Sequence, residues 1–151
     1  ATPTSMTRVA SSSDDQTALS MGVATPRTPL WCAGAMLALA HDFRVMRGDR
    51  GYFCFPEVDI KIPFTPGMAA LIQAKLAPQA AVASMTTGRR FGGGDAARIG
   101  IVDATAAEDA VTAAAVDLLR PLGGKNQGTL GAIKQTMFAP AVHALTAASP
   151  G

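Results

Sequence analysis

An α/β domain is predicted by three features of the chain. Asp42-Phe43-Arg44-Val45-Met46 and Tyr52 to Phe55 read as two short strands on either side of the turn Gly48-Asp49-Arg50-Gly51. The small and long apolar residues of Cys32 to His41, CAGAMLALAH, suit a helix buried on most sides, just before the first strand. Thr65-Pro66 then supplies a helix N-cap with proline at the first helical position, followed by GMAALIQAKLA.

The remaining elements follow in order. Residues 1–28, rich in Ser, Thr, Pro and Asp, bury too little apolar surface to offset their ordering entropy, which predicts a flexible segment. Within it, Leu19, Met21 and Val23 alternate and offer a short edge strand as the alternative. In the first strand, Phe43 and Val45 share one face. Pro56 ends pairing after Phe55, which puts Glu57 at a strand terminus. A helix from Pro78 closes at Gly88. Asp95 to Ile99 forms a short helix, and Ile101-Val102 a small extended piece. Ala106-Ala107-Glu108 opens a helix to about Arg120, broken by Gly123 and Gly124. Thr129 to Leu145 has helical periodicity, with a kink at Pro140.

Bulk properties narrow the function. The 151 residues are one domain's worth of chain, 48% apolar and 16% charged, which excludes disorder of the whole. A net charge of +2 gives no reason to expect nucleic acid or an anionic membrane as partner. The longest apolar run, Pro29 to Ala40, falls short of the ~20 residues that cross a bilayer. Cys32 and Cys54 lack metal-ligand spacing and fit a reducing compartment, with a single disulfide the alternative. The chain opens on Ala1 without a signal-peptide pattern, and Ser149-Pro150-Gly151 is not a peroxisomal tripeptide.

One carboxylate draws the chemistry. Glu57 follows the aromatic run and Pro56 and precedes the apolar Val58 to Phe64, in a chain with few charges. Acids in apolar surroundings suit proton transfer near neutrality. A solvated strand-end acid is the bland reading, favoured by the local sequence alone. Other candidates read as structural. Gly92-Gly93-Gly94 lacks a following Gly-Lys-Ser/Thr and is a connection into the next helix. His41, His143, Ser84 and Ser149 have no visible catalytic partners. Arg89-Arg90 beside Lys75 could take a phosphate but are more simply solvated helix-end charges. Cys32-Ala33-Gly34-Ala35 places small residues at a helix start, where backbone N–H groups without intrahelical partners can hold an oxyanion. Close helix packing explains the same residues.

The order of these parts is what carries a family resemblance. AGAMLALAHDFRVMRGDRGYFCFPEVDIKIPFTPGMAALIQAKL, residues 33–76, resembles the enoyl-CoA hydratase/isomerase (crotonase) superfamily, and within it the plant-type Δ3,Δ2-enoyl-CoA isomerases. MTTGRRFGGGDAARIGIVD, residues 85–103, extends it through a Gly-Arg turn, a short helix and a Gly-Ile-Val-Asp strand. The similarity covers roughly residues 30–120, with a weaker match from Ile133 to Pro140.

The resemblance implies a partial crotonase-like ββα spiral core followed by C-terminal helices. The corresponding division is a flexible segment 1–28, a truncated crotonase-like core 29–122 and a helical segment 123–151. By position, Ala33 supplies an oxyanion-hole N–H, Gly34 lets the helix start pack closely, and Glu57 transfers the proton. Met36 falls where the hydratases carry their other glutamate. Hydration needs water held between two carboxylates, whereas moving a double bond needs one base that takes a C2 proton and returns it to C4. The expected reaction is therefore isomerisation of 3-enoyl-CoA to trans-2-enoyl-CoA in fatty-acid β-oxidation. Met36, Ile60, Phe64 and Met68 are expected at the acyl pocket, although core packing explains the last three equally well.

No metal or redox cofactor is implied, because coenzyme A arrives with the substrate. The implied partners are acyl-CoA and, as a homotrimer, further copies of the chain. The implied compartment is the peroxisome, with the cytoplasm as the alternative. Three departures stand against this pattern. Related sequences carry about a hundred residues before the Ala33 helix, including the first oxyanion donor and contacts to the adenine end of CoA, which residues 1–28 do not supply. Thr25-Pro26-Arg27-Thr28-Pro29 stands in place of a strand. Lys61 stands where glycine is usual. The sequence thus reads as the C-terminal portion of a crotonase-like protein, with weak or absent turnover expected of the isolated polypeptide. A non-catalytic crotonase-fold protein and an enoyl-CoA hydratase are the alternatives.

Overall fold

Three parallel strands in the order β1-β2-β3 form the sheet of the computed structural model, which describes residues 23–24 and 32–147. Strand β1, Val23–Ala24, pairs with the start of β2, Phe43–Arg47, in the register Val23 to Phe43. Strand β3, Ala104–Ala106, flanks the other side, with Val45 opposite Ala104. The flexible segment predicted for 1–28 otherwise lies outside the described residues. Val23–Ala24 takes the edge-strand alternative.

Helix α1, Cys32–Leu39, links β1 to β2. The expected one-sided alternation of β2 is not what the structure shows. Arg44, Val45, Met46 and Arg47 are all buried, because β2 is the central strand and both its faces are covered. The two buried arginines are satisfied locally. Arg44 Nε donates to the carbonyl of Ile101 at 2.6 Å, and its backbone N–H donates to Asp103 Oδ2 at 2.7 Å. Arg47 forks onto both oxygens of Asp49 and reaches Glu108 at 2.9 Å.

Residues 52–55 do not form the second strand predicted. Phe53 alone bridges antiparallel to Phe91, exchanging two backbone hydrogen bonds of 2.9 Å. Phe53, Cys54 and Phe55 are buried in succession, and Phe53–Phe55 and Phe55–Phe64 pack edge to face at 5.1 and 5.7 Å. The aromatic run is core rather than ladder. Pro56 then starts the one-turn helix α2, Glu57–Ile60, so Glu57 sits in a helical first turn and not at a strand end.

Thr65 caps α3, Pro66–Lys75, accepting from the Met68 amide at 3.2 Å, as its sequence predicts. Helix α4, Pro78–Thr86, is followed by Gly88 at φ +62°. Helix α5, Gly93–Arg98, begins where a side chain on Gly93 would overlap the carbonyl of Arg47, so glycine there permits close packing on the end of β2. The extended piece expected at Ile101-Val102 lies three residues later, at β3. There Ala106 is strand, and helix α6 starts only at Val111, running to Leu119. A 3₁₀ turn, Arg120–Leu122, precedes α7, Gln127–Thr146, whose N-cap Asn126 accepts from the Thr129 amide at 2.9 Å. Pro140 lies inside α7. The main core gathers α1, the aromatic run, α3, α4 and Ile101-Val102, and a smaller cluster holds Val45, Val111 and Ala115.

Candidate active site

Two segments distant in sequence meet at Glu57. From Pro56, at φ −84° and ψ 5°, the chain turns so that the amides of Asp59 and Ile60 donate to its carbonyl at 2.9 and 3.0 Å. The Glu57 carbonyl accepts from Ile62 at 3.0 Å, closing the turn. This holds the Glu57 side chain inward, 3% exposed, while Val58 and Ile60 point outward. The solvated-acid reading of Glu57 is excluded by that burial.

Glu57 Oε1 accepts a hydrogen bond from Cys32 Sγ. Glu57 Oε2 is buried and has no hydrogen-bond partner among the described residues. A buried oxygen left unpaired is costly, and a catalytic role is one of the reasons a native fold keeps such an atom. Because Oε2 is covered, an acyl group reaches it only by displacing neighbouring side chains.

Cys32 is the first residue of α1, so the bond to Glu57 brings the carboxylate to the start of that helix. The amides of the first turn, those of Ala33 and Gly34 included, have no intrahelical acceptor by position. Ala33 is exposed and Gly34 half-buried. The Cys32 thiol is pushed up to about 11, first by burial and then by its hydrogen bond to Glu57 and the charge there. It is therefore a protonated donor near neutrality. Sequence reasoning placed Cys32 at the helix start but missed its pairing with Glu57, since nothing local couples positions 32 and 57.

The pocket residues divide. Met36 and Phe64 are half-buried and pack against the main core. Met68 is half-buried on α3, and Ile60 is 54% exposed. The group bonded to Glu57 is a thiol, with no second carboxylate in that role. Among the described residues no group of three or more His, Cys, Asp or Glu side chains is placed to hold a metal ion.

Two of the residues read as structural have local backbone partners, and Ser149 lies outside the described residues. Ser84 donates to the Ala80 carbonyl at 2.7 Å, and His41 Nδ1 lies 2.8 Å from the Leu37 carbonyl. Arg89 pairs with Asp95 at 2.7 Å and Arg90 lies 5.1 Å over the Tyr52 ring, whereas Lys75 faces Asp42 and lies over the Phe138 ring, so the three cations are engaged apart from one another.

The sequence family described as Enoyl-CoA hydratase/isomerase matches residues 29–150. The chain belongs to this family. It is 38% identical over 96 residues to the peroxisomal enoyl-CoA delta isomerase 2 of Arabidopsis thaliana, covering 62% of this chain and 40% of that protein. Against enoyl-CoA delta isomerase 3 of the same plant it is 34% identical over 111 residues, covering 70% and 47%. The chain thus spans about half the length of the curated relatives it matches. Among solved structures, an enoyl-CoA hydratase from Mycobacterium ulcerans superposes with a TM-score of 0.74 at 24% identity, covering 83% of this chain and 54% of that one. That likeness establishes a partial crotonase fold. Among the described residues no helix is long and apolar enough to cross a membrane.

Proposed function

We propose that the site isomerises 3-enoyl-CoA to trans-2-enoyl-CoA, with Glu57 removing the C2 proton and returning it at C4. The observation that carries the reading is the buried Glu57 with one unpartnered oxygen beside the amide-rich start of α1. As the proton leaves, charge gathers on the thioester oxygen, and the amides of Ala33 and Gly34 stabilise the enolate. A single such donor is typically worth ~3 kcal/mol in the transition state. Coenzyme A enters as part of the substrate, and the reaction as written uses no other cofactor.

Isomerisation is preferred to hydration because the group paired with the carboxylate is a thiol, and because the resemblance puts Met36 where hydration would need a second acid to hold water. The names of the two plant relatives support the same choice. The peroxisomal name of one extends the reading to fatty-acid β-oxidation in peroxisomes, with the family's homotrimer as the assembly.

The chain covers less than half of each plant relative, so turnover by this polypeptide alone is proposed to be weak. The experiment is direct conversion of a 3-enoyl-CoA followed by chromatography of the trans-2 product. Slow conversion that disappears in Glu57→Gln supports the reading. Equal rates in both proteins refute it. Calorimetry with an acyl-CoA separates the non-catalytic alternative, for which no binding heat appears even at millimolar ligand.

A further inference from the structure

We propose that Cys32 is the positioning residue for Glu57: its thiol holds Oε1 and thereby leaves Oε2 as the oxygen that exchanges the proton. The inference rests on the isomerase reading for its consequence, and on side-chain geometry alone for the pairing. A carboxylate rotates about its last torsion with two broad, equivalent wells. Glu57 is 3% exposed, so water does not fix that rotation. The single hydrogen bond from Cys32 Sγ to Oε1 does, and Oε2 is left without a partner among the described residues.

A thiol suits this role better than a charged donor. Arg or Lys at position 32 would bind the carboxylate as an ion pair and hold it in its deprotonated form. S–H is a weak donor that orients the group while leaving it free to accept a proton. The atoms balance simply. The C2 proton passes to Oε2, the C4 carbon takes it back from Oε2, and Cys32 keeps its own proton throughout. Cys32 also precedes Ala33 directly, so one stretch of α1 sets both the base and the amide that faces the developing oxyanion.

The pairing is tested without any turnover by alkylating the folded chain with iodoacetamide across a pH range. Trypsin separates the two cysteines, Cys32 in the peptide 28–44 and Cys54 in 51–61. The wild-type Cys32 peptide is expected to react with a midpoint near 11. In Glu57→Gln the Cys32 midpoint falls, and falls further than that of Cys54, which feels Glu57 only as the weakest of several influences; each unit of fall raises the Cys32 thiolate fraction at pH 8 about ten-fold. An unchanged Cys32 midpoint overturns the proposal. Circular dichroism confirms that the variant is folded, and Glu57→Asp, which withdraws the carboxylate by one carbon, gives the same comparison if Glu57→Gln is not.

The isomerase assay supplies the second arm. Cys32→Ala is expected to lose about ten-fold in kcat with KM unchanged, and Cys32→Ser, which still donates, to recover most of it. Equal losses in both variants, or none in either, overturn the positioning role. If the wild-type chain has no turnover, the isomerase reading falls and the alkylation result alone decides the pairing.

Discussion

The backbone amide of Lys61 donates to the carbonyl of Glu57, and Lys61 makes that bond from a left-handed backbone, φ 59° and ψ 35°. It is the one non-glycine residue with positive φ among the described residues. The turn that aims Glu57 inward is therefore closed by a residue ill suited to close it. An L-residue in this region costs about 1–2 kcal/mol, from which glycine is exempt.

Lys61→Gly is accordingly expected to raise stability. Part of the relief is lost to the greater freedom of glycine in the unfolded chain, which leaves a gain of about 0.5–1 kcal/mol. The Lys61 side chain is exposed and its removal costs little. A higher urea midpoint with an unchanged slope is the expected result. A lower one would show that side chain to matter more than the backbone does.

Two helical glycines should respond to alanine with opposite signs. A Cβ on Gly67 in α3 would lie 2.9 Å from the carbonyl oxygen of Ala144 and from Cα of Leu145, both backbone atoms of α7. Gly67→Ala therefore forces the two helices apart and is expected to cost about 1–3 kcal/mol. Gly131, inside α7, meets nothing within 4 Å, so Gly131→Ala gains helix propensity, about 0.5–1 kcal/mol. Thermal melts of the two variants on either side of the wild type are the check.

How much of this was legible in the sequence depended on the range of the interaction. Thr65-Pro66, Pro78 and Gly88 are local signals, set by a side-chain cap, a fixed φ and a missing Cβ, and the structure places helix ends at each. Lys61 was marked by its departure from glycine, and its backbone accounts for the mark. Tyr52 to Phe55 misled because an aromatic run reads alike in a strand and in a core segment, and only tertiary partners tell them apart. The same holds for β2, whose buried arginines are explained by Ile101, Asp103, Asp49 and Glu108. Glu57 was readable as an unusual acid. Its partner Cys32, 25 positions away, was not, because no periodicity encodes a contact made by folding α1 against α2.

Asp42 fastens the C-terminal helix to the core. Its carboxylate, 11% exposed, reaches Lys134 of α7 at 2.7 Å and Lys75 of α3 at 3.9 Å, and Lys75 in turn lies 4.4 Å above the Phe138 ring of α7. Burial lowers the Lys75 pKa, and the charge of Asp42 works against that fall. Removing the acid leaves a buried cation with less compensation. Asp42→Ala is expected to cost about 2–3 kcal/mol and to speed amide exchange in α7 before the rest of the chain. Uniform loss of protection throughout the domain would argue against this local role.

The coupling of Cys32 to Glu57 also sets how stability responds to alkali. The Cys32 thiol is raised from 9.0 to about 11 in the fold, by burial first and by Glu57 next. Neither influence acts in the unfolded chain. Below pH 9 both states hold the proton, and the contribution to stability is fully present. Between pH 9 and 11 the unfolded chain releases it and the folded chain does not, so unfolding becomes easier as pH rises. Above about 11 the effect is complete. Urea midpoints of the wild type should therefore fall more steeply across this window than those of Cys32→Ser, which has no thiol to titrate. Cys54, raised by its own burial, titrates in both proteins and cancels in the difference. Parallel curves for the two proteins would mean that the thiol is not held as the structure shows.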